Sequence, residues 1–275
     1  MDARRLYLSL QRDLGGPEVF LRQPLEAVGP RAEAAREPTA VPQPAPEPER
    51  PSARASAAPE PTRKDWRTGA PPVPGPGIEV VSPTPELLDQ RPDYSSLDAV
   101  ARAVAECTRC GLCEGRTNTV PGEGDPRARL LCVGEGPGET EDRTGRPFVG
   151  RAGELLTDIL AAIELPRERV FIANVVKCRP PQNRKPLPDE IAACMPLLQA
   201  QIRLIRPQVL LALGATAAEA LLGVRRSLGE LRGKVHRYDG IPLVVTYHPA
   251  ALLRNPNWKK PTWDDVRIAR QLLDG

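Results

Sequence analysis

The sequence predicts an α/β fold: a three-layer α/β/α domain with a mainly parallel four-stranded sheet. Two observations lead to this fold class. Four short runs bounded by turn residues are apolar at nearly every position, which is typical of parallel strands buried on both faces. Stretches of helical length separate these runs, and regular alternation of strands and helices indicates a parallel sheet.

The elements follow one another in a simple order. The apolar runs predict strands over residues 129–134, 170–174, 209–213 and 243–247. The segments between and around them predict helices over residues 97–106, 151–163, 188–205, 215–222 and 264–273.

The first 96 residues differ in composition from the rest. They hold more than half of the 33 prolines and no long apolar run, so burial cannot offset the entropy of ordering them. We therefore expect residues 1–96 to be a disordered Pro/Ala/Glu-rich tail and linker, followed by one folded domain over residues 97–275. Four-residue spacing of leucines predicts a short helix over residues 4–14, either transient or able to dock an unidentified protein partner.

Charge and targeting features narrow the class of protein. The net charge of +3 is concentrated in residues 97–275, which suggests either a polyanionic partner or a solvated arginine-rich surface. No apolar run is long enough to span a membrane, and the N-terminus lacks the apolar segment of a signal peptide, so we expect a cytoplasmic protein.

All six cysteines lie in the predicted domain, and in a cytoplasmic protein such a group indicates metal binding rather than disulfides. Cys107, Cys110, Cys178 and Cys194 could hold zinc or an iron–sulfur cluster, and the single tight Cys-x-x-Cys pair favours the cluster. Cys113 is a rival ligand. Cys132 falls inside a predicted strand and is expected to be a core residue.

Polar residues and glycines follow the predicted strands, at the edge where parallel sheets bind ligands. The loop after the first strand contains Glu135 and Gly136, and the second strand ends at Asn174. An asparagine amide can read the edge of a base, although it also ends many strands as a turn residue. His248 follows the fourth strand and is held extended by Pro249.

Phe148 lies in a loop rich in glycine and proline rather than in an apolar run. Two interpretations of this residue remain open, a plug for the core or a stacking platform for a flat ligand.

Five motifs, taken in this order, resemble family 4 of the uracil-DNA glycosylase superfamily, the iron–sulfur type. They are Cys-Thr-Arg-Cys-Gly-Leu-Cys, Gly-Glu-Gly-Pro-Gly-Glu-Thr-Glu-Asp, Gly-Arg-Pro-Phe-Val-Gly-Arg-Ala-Gly, Asn-Val-Val-Lys-Cys-Arg-Pro-Pro-Gln-Asn-Arg and His-Pro-Ala-Ala-Leu-Leu-Arg. The resemblance runs from about residue 107 to the C-terminus and does not cover residues 1–96.

The resemblance implies a DNA-repair enzyme, expected to be a monomer, that flips uracil out of DNA and hydrolyses its N-glycosidic bond. It also implies a structural [4Fe–4S] cluster on Cys107, Cys110, Cys178 and Cys194. The family's uracil pocket corresponds here to Glu135, Gly136, Phe148, Asn174 and His248.

The chemistry of uracil suggests a role for each pocket residue. Phe148 stacks on the ring, Asn174 donates to O4 and accepts from N3–H, and His248 stabilises negative charge at O2. Family 1 enzymes carry an aspartate where Gly136 stands, so general-base assistance to the water is either absent here or supplied by a neighbour such as Glu135. We favour positioning of the water by backbone groups together with Glu135.

Neighbouring residues are expected to meet the DNA or exclude thymine. Glu139 or Glu141 is expected to crowd the C5 methyl of thymine. Leu252 and Leu253 are expected to wedge into the base stack, and Arg254 to meet phosphate. Further phosphate candidates are Arg143, Arg146 and Arg151.

Two other functions compete with this interpretation. One is a noncatalytic nucleic-acid-binding protein with a structural four-cysteine metal site, and the other is an iron–sulfur electron carrier. Asn174 and His248 would have no use in an electron carrier. For the glycosylase, we expect U opposite G to be preferred over U opposite A, and deletion of residues 1–96 to leave excision intact.

Overall fold

The computed structural model describes residues 65–81 and 94–275. They form one seven-stranded sheet with helices on both faces. In chain order the strands are β1 (Pro76–Val80), β2 (Glu123–Gly124), β3 (Leu130–Gly134), β4 (Phe171–Asn174), β5 (Val209–Leu213), β6 (Val235–Tyr238) and β7 (Ile241–Thr246). Across the sheet their order is β1-β6-β7-β5-β3-β4-β2.

The centre of the sheet consists of the four predicted strands. β4, β3, β5 and β7 lie side by side and run parallel, which confirms the predicted fold class. Alternate residues face opposite sides, so Leu131 and Val133 of β3 join one core while Leu130 and Cys132 join the other. Burial on both faces explains why these strands are apolar throughout.

The prediction of four strands is wrong in number, because three short strands extend the sheet at its edges. β6 runs antiparallel to β7, β1 runs parallel to β6, and β2 runs antiparallel to β4. Each has two to five residues and carries polar residues, glycine or proline. Edge strands need little apolar surface, so their sequences lack the signal that marks the central four.

The helices of the described residues complete the layers. They are α1 (Leu97–Ala105), α2 (Leu112–Gly115), α3 (Glu139–Thr144), α4 (Arg151–Ala162), α5 (Pro188–Ile205), α6 (Ala215–Leu222), α7 (Leu228–Leu231), α8 (Pro249–Arg254) and α9 (Lys259–Asp274). α1, α5 and α6 pack on one face of the sheet, and α4 and α9 on the other. α9 begins five residues before the predicted start. Pro261 is tolerated in its first turn because the N–H groups of that turn have no partner within the helix.

The expected domain boundary at residue 97 differs from the structure. Trp66 is 3% exposed and packs in the core under α4 and α9. Arg267 of α9 donates a hydrogen bond to the carbonyl of Thr68, and Gln271 donates one to the carbonyl of Pro71. Together with β1, these contacts make residues 65–81 part of the folded domain rather than of a linker.

The predicted helix over residues 4–14 lies outside the described residues. Among the helices described, none has both the length and the apolar character needed to cross a membrane.

Candidate functional site

The predicted pocket residues meet in one cleft. Glu135, Gly136, Phe148, Asn174 and His248 all line it, at the edge of the sheet where β3, β4, β5 and β7 end. This is the edge at which parallel α/β sheets bind ligands, because the loops after neighbouring strands converge there.

Asn174, the last residue of β4, presents an unpaired amide oxygen to this cleft. The residue is 1% exposed, and its Oδ1 atom has no hydrogen-bond partner among the described residues. A buried acceptor without a partner costs about 1–3 kcal/mol. This oxygen is therefore placed to accept a hydrogen bond from a ligand.

The backbone of Asn174 is fixed by a lysine buried behind it. The Lys177 Nζ atom donates to the carbonyl of Asn174 at 2.8 Å and to the Oε1 atom of Gln201, on α5, at 2.6 Å. Burial lowers the pKa of Lys177 to about 8. Lys177 is not among the predicted site residues, although a lysine directly after Val175 and Val176 in a buried segment is a usable signal.

Phe148 packs into the cleft from a loop that is held at both ends. Its ring is 6% exposed, and its ring centroid lies 5.4 Å from that of His248. Arg167 donates to the carbonyls of Pro147 and Phe148 at 2.5 and 2.8 Å. These bonds hold Phe148 at φ 51°, a backbone conformation that is strained for a bulky side chain.

A glycine lets the amide and the aromatic ring come together. A Cβ atom on Gly134 would lie 2.4 Å from Oδ1 of Asn174 and 2.5 Å from Cζ of Phe148. Both distances are shorter than any van der Waals contact. Only glycine at this position permits the observed packing.

Of the two glutamates expected to exclude thymine, only Glu141 lines the cleft. Its Oε1 atom accepts hydrogen bonds from the backbone N–H groups of Val149 and Gly150 at 2.9 and 2.8 Å. Glu139 is exposed and lies 3.5 Å from Arg179. Glu141 thus also fixes the loop that carries Phe148.

His248 is held in one neutral tautomer. Its Nδ1 atom accepts a hydrogen bond from the backbone N–H of Ala250 at 3.2 Å, as the N-cap of α8. Nε2 therefore carries the proton and can donate it to a ligand. Burial, assisted by the charge of Arg254 and partly opposed by that of Glu141, lowers the pKa of His248 to about 4.

The loop after β3 carries the carboxylate of Glu135 and has no space for a second acidic side chain at Gly136. Thr216 Oγ1 donates to Glu135 Oε2 at 2.5 Å, which orients the Glu135 carboxylate. A Cβ atom on Gly136 would lie 2.7 Å from Cγ2 of Val176. An aspartate at position 136 would therefore have to displace the side chain of Val176, so Glu135 is the acidic residue that this loop presents.

The expected wedge residues differ in exposure. Leu252 is 1% exposed and packs inside the domain, so its expected insertion into a base stack is wrong for this structure. Leu253 is 42% exposed, and Arg254 is exposed and also lines the cleft. α8 turns one leucine inward and the next outward, which sequence alone did not indicate.

The three further phosphate candidates are exposed, but they are not equivalent. Arg146 makes a bidentate ion pair with the carboxylate of Glu123, with both N–O distances at 2.7 Å. Its charge is therefore already partnered. Arg143 and Arg151 are also exposed.

A second cavity lies beside the cleft and is lined by the four predicted cysteine ligands, Cys107, Cys110, Cys178 and Cys194, and by Cys113. Zinc requires sulfurs about 2.3 Å from one ion. Within the described segments, no three cysteine, histidine or acidic side chains converge closely enough for a single ion. Thiolates spread around a cavity are the arrangement that a polynuclear cluster needs.

Two arginines face these sulfurs. Arg109 lies 3.4 Å from the sulfur of Cys107, and Arg116 lies 3.2 Å from that of Cys178. Burial raises the pKa of Cys107, but the hydrogen bonds and charge of Arg109 outweigh it and leave the pKa lowered. Burial raises the pKa of Cys194 to about 11. The donor set fits an anionic iron–sulfur cluster neutralised by guanidinium groups.

The two remaining cysteines have different positions. Cys132 is fully buried in β3, as expected for a core residue, and burial raises its pKa to about 12. Cys113 lines the cavity and stays a rival to the other ligands.

The fold and the cleft define a protein that binds a flat, hydrogen-bonding heterocycle at the edge of a parallel sheet. Residues 121–269 match the family model of the uracil DNA glycosylase superfamily. The type-4 uracil-DNA glycosylase of Thermotoga maritima is 51% identical over 181 residues, which cover 64% of this chain and 94% of that protein. That of Sulfurisphaera tokodaii is 46% identical over 186 residues, 64% of this chain and 84% of that protein.

A third relative, the type-4 uracil-DNA glycosylase of Saccharolobus solfataricus, is 45% identical over 187 residues, 65% of this chain and 87% of that protein. The chain belongs to the uracil DNA glycosylase superfamily and, within it, to the type-4 enzymes.

Proposed function

We propose that this chain is a DNA-repair glycosylase that flips uracil out of DNA and hydrolyses its N-glycosidic bond, leaving an abasic site. The observation that carries the proposal is the unpaired Oδ1 atom of Asn174, buried beside the ring of Phe148 in the cleft that His248 also lines. Uracil offers a flat ring, an N3–H donor and two carbonyl acceptors, which match these groups.

Asn174 selects uracil over cytosine. Its amide oxygen accepts from N3–H and its amide nitrogen donates to O4 of uracil. Cytosine has an acceptor at N3 and a donor at N4, so both hydrogen bonds would be mismatched. Each unmet buried group costs about 1–3 kcal/mol, which is enough to exclude a normal base.

His248 stabilises the departing base. When the bond between uracil and sugar breaks, negative charge builds up on O2, and the Nε2–H group of a neutral imidazole donates to it. The Nε2–H group stabilises the charge on O2 through a hydrogen bond and does not transfer its proton. Losing one such donor typically raises the barrier by about 3–4 kcal/mol.

Glu135 positions the attacking water. Thr216 holds its carboxylate, and Gly136 leaves no space for a competing acidic side chain. The sugar becomes cation-like as uracil leaves, so a carboxylate at this place also favours the transition state electrostatically.

Cys107, Cys110, Cys178 and Cys194 are the residues proposed to hold a [4Fe–4S] cluster. These residues lie in the loop after α1, in the segment after β4 and in α5, so a cluster held by them would cross-link the three segments and order the walls of the uracil cleft.

The test is single-turnover cleavage of a labelled oligonucleotide carrying a U:G pair. The wild-type enzyme is expected to give alkali-labile product, His248→Ala to react about a hundredfold or more slowly, and Asn174→Asp to be severely slowed because an acceptor replaces the O4 donor. Arg169→Ala, an exposed residue of the same domain, is the control. Tight binding without product would favour the noncatalytic DNA-binding alternative.

A further inference from the structure

A group of exposed residues lies just beyond the uracil cleft. Leu253, Arg254, Trp258, Lys259 and Lys260 are all exposed, and we call them the 253–260 surface. Trp258 is 36% exposed and Leu253 42%, and both are among the few large apolar side chains so exposed in the described residues. Nothing in the proposed excision chemistry uses Trp258.

The 253–260 surface lies on the same edge of the sheet as the cleft. α8 starts directly after His248, and Arg254 at its end still lines the cleft. α9 then packs back along β7 and β5, so its first residues, Lys259 and Lys260, lie where the parallel strands end.

Trp258 is connected to the catalytic histidine through one aromatic ring. Its ring stacks on Tyr247 at a centroid distance of 4.7 Å and an interplanar angle of 3°. Tyr247 immediately precedes His248. The guanidinium of Arg232 also lies 4.4 Å from the centre of the Tyr247 ring and is anchored to Asp265 at 2.7 Å. The indole is therefore held rigidly, with part of its surface still open to solvent.

The charge of this surface suits a polyanion. Arg254, Lys259 and Lys260 are exposed, and none of them forms an ion pair with a carboxylate of the described chain. Proteins that bind single strands combine such cations, which meet phosphates, with aromatic rings on which bases stack.

We propose that Trp258 is a stacking platform for an unpaired base next to the flipped uracil nucleotide, with Lys259 and Lys260 on the adjoining phosphates. This inference rests on the proposed function. A base in a duplex is already stacked on both faces, whereas an unpaired base exposes its rings. The 253–260 surface therefore selectively strengthens binding of single-stranded DNA.

Tryptophan fluorescence tests the stacking directly. The chain has three tryptophans, Trp66, Trp258 and Trp263, and stacking on a base quenches indole emission. The cluster-containing enzyme is titrated with a uracil-free single-stranded oligothymidylate. We expect strong quenching in the wild type and in the matched control Trp263→Phe, and loss of most of the quenching in Trp258→Phe.

Affinity provides the second measurement. Trp258→Ala is expected to bind the single-stranded oligonucleotide about tenfold more weakly, with a much smaller change for a duplex of the same sequence. Trp258→Phe retains a stacking ring and is expected to stay within a few-fold of the wild type. Because these titrations use DNA without uracil, they succeed or fail independently of uracil excision.

Three results would overturn the proposal. They are undiminished quenching in Trp258→Phe, wild-type affinity of Trp258→Ala for the single strand, and equal weakening of single-strand and duplex binding. The last result would mean that Trp258 merely supports a phosphate-binding surface.

Discussion

The ammonium of Lys177 donates a hydrogen bond to the backbone carbonyl of Asn174 at 2.8 Å, in a position fully shielded from solvent. Lys177 also lines the cysteine cavity and directly precedes Cys178. One side chain thus ties Asn174, in the wall of the cleft, to the segment that carries a predicted cluster ligand. Its other partner, Gln201, lies on α5, the helix that carries Cys194.

Lys177→Met should weaken both the fold and the pocket. The substitution leaves the Asn174 carbonyl and the Gln201 amide oxygen without their donor, and each unmet buried acceptor costs about 1–3 kcal/mol. We expect the free energy of unfolding to fall by about 2–6 kcal/mol in denaturant titrations, and KM for a uracil-containing oligonucleotide to rise in conditions where the protein is still folded.

Lys185→Met is the matched control, because Lys185 is 54% exposed and pairs with Glu219 at the surface. Ion pairs at the surface contribute about 0–1 kcal/mol to the free energy of unfolding. Equal stabilities of the Lys177 and Lys185 variants would contradict a role for the buried ammonium.

Arg167→Met should release the loop that carries Phe148. Arg167 donates to two backbone carbonyls of that loop and opposes the strain at φ 51°. Without it the ring loses its fixed position, and we expect KM for a uracil-containing oligonucleotide to rise about tenfold, with a smaller change in kcat. Steady-state kinetics give KM and kcat separately, and Arg169→Met is the control. An unaltered KM in Arg167→Met would refute the proposed role of Arg167.

The imidazole of His248 should stay neutral well below its ordinary range. Burial lowers its pKa to about 4, while a histidine in an unfolded chain titrates near about 6.5. Between these values the unfolded state binds more protons than the folded state. The stabilisation from neutral His248 is therefore complete above about pH 6.5 and is lost as the pH falls towards 4.

Nitrogen NMR of the imidazoles can follow this titration, since His236 is the only other histidine. Arg254→Ala removes a cation that disfavours imidazolium, so the pKa of His248 should rise while that of His236 stays the same. A His248 midpoint near 6.5 in the wild type would disprove the neutral donor.

Two truncations test where the folded domain begins. A chain that begins at residue 65 should retain uracil excision, whereas one that begins at residue 97 lacks Trp66 and β1 and should be markedly destabilised. Deleting a buried aromatic side chain alone costs about 3–5 kcal/mol. Thermal melting of both truncations and of Trp66→Ala measures the effect, and equal melting temperatures would restore the boundary at residue 97.

The central sheet could be predicted because its strands are buried on both faces and carry an unbroken apolar signal. β1 could not, because Pro76 and Gly77 share the composition of the segment before them, and only pairing with β6 makes them a strand. Glu135, Gly136, Asn174 and His248 could be placed at one sheet edge, since each ends or follows a parallel strand, whereas Phe148 lies in a loop between two helices. The inward turn of Leu252 and the bonds from Arg167 depend on tertiary packing, which leaves no local pattern.

The close approach at Gly134 also has a genetic consequence. Every missense change in a glycine codon adds at least one carbon, and here the first added carbon already overlaps the Asn174 amide and the Phe148 ring. Position 134 therefore has no conservative replacement. Any amino-acid substitution there is expected to disturb the packing of Asn174 against Phe148, so no missense variant at this position should retain wild-type uracil excision.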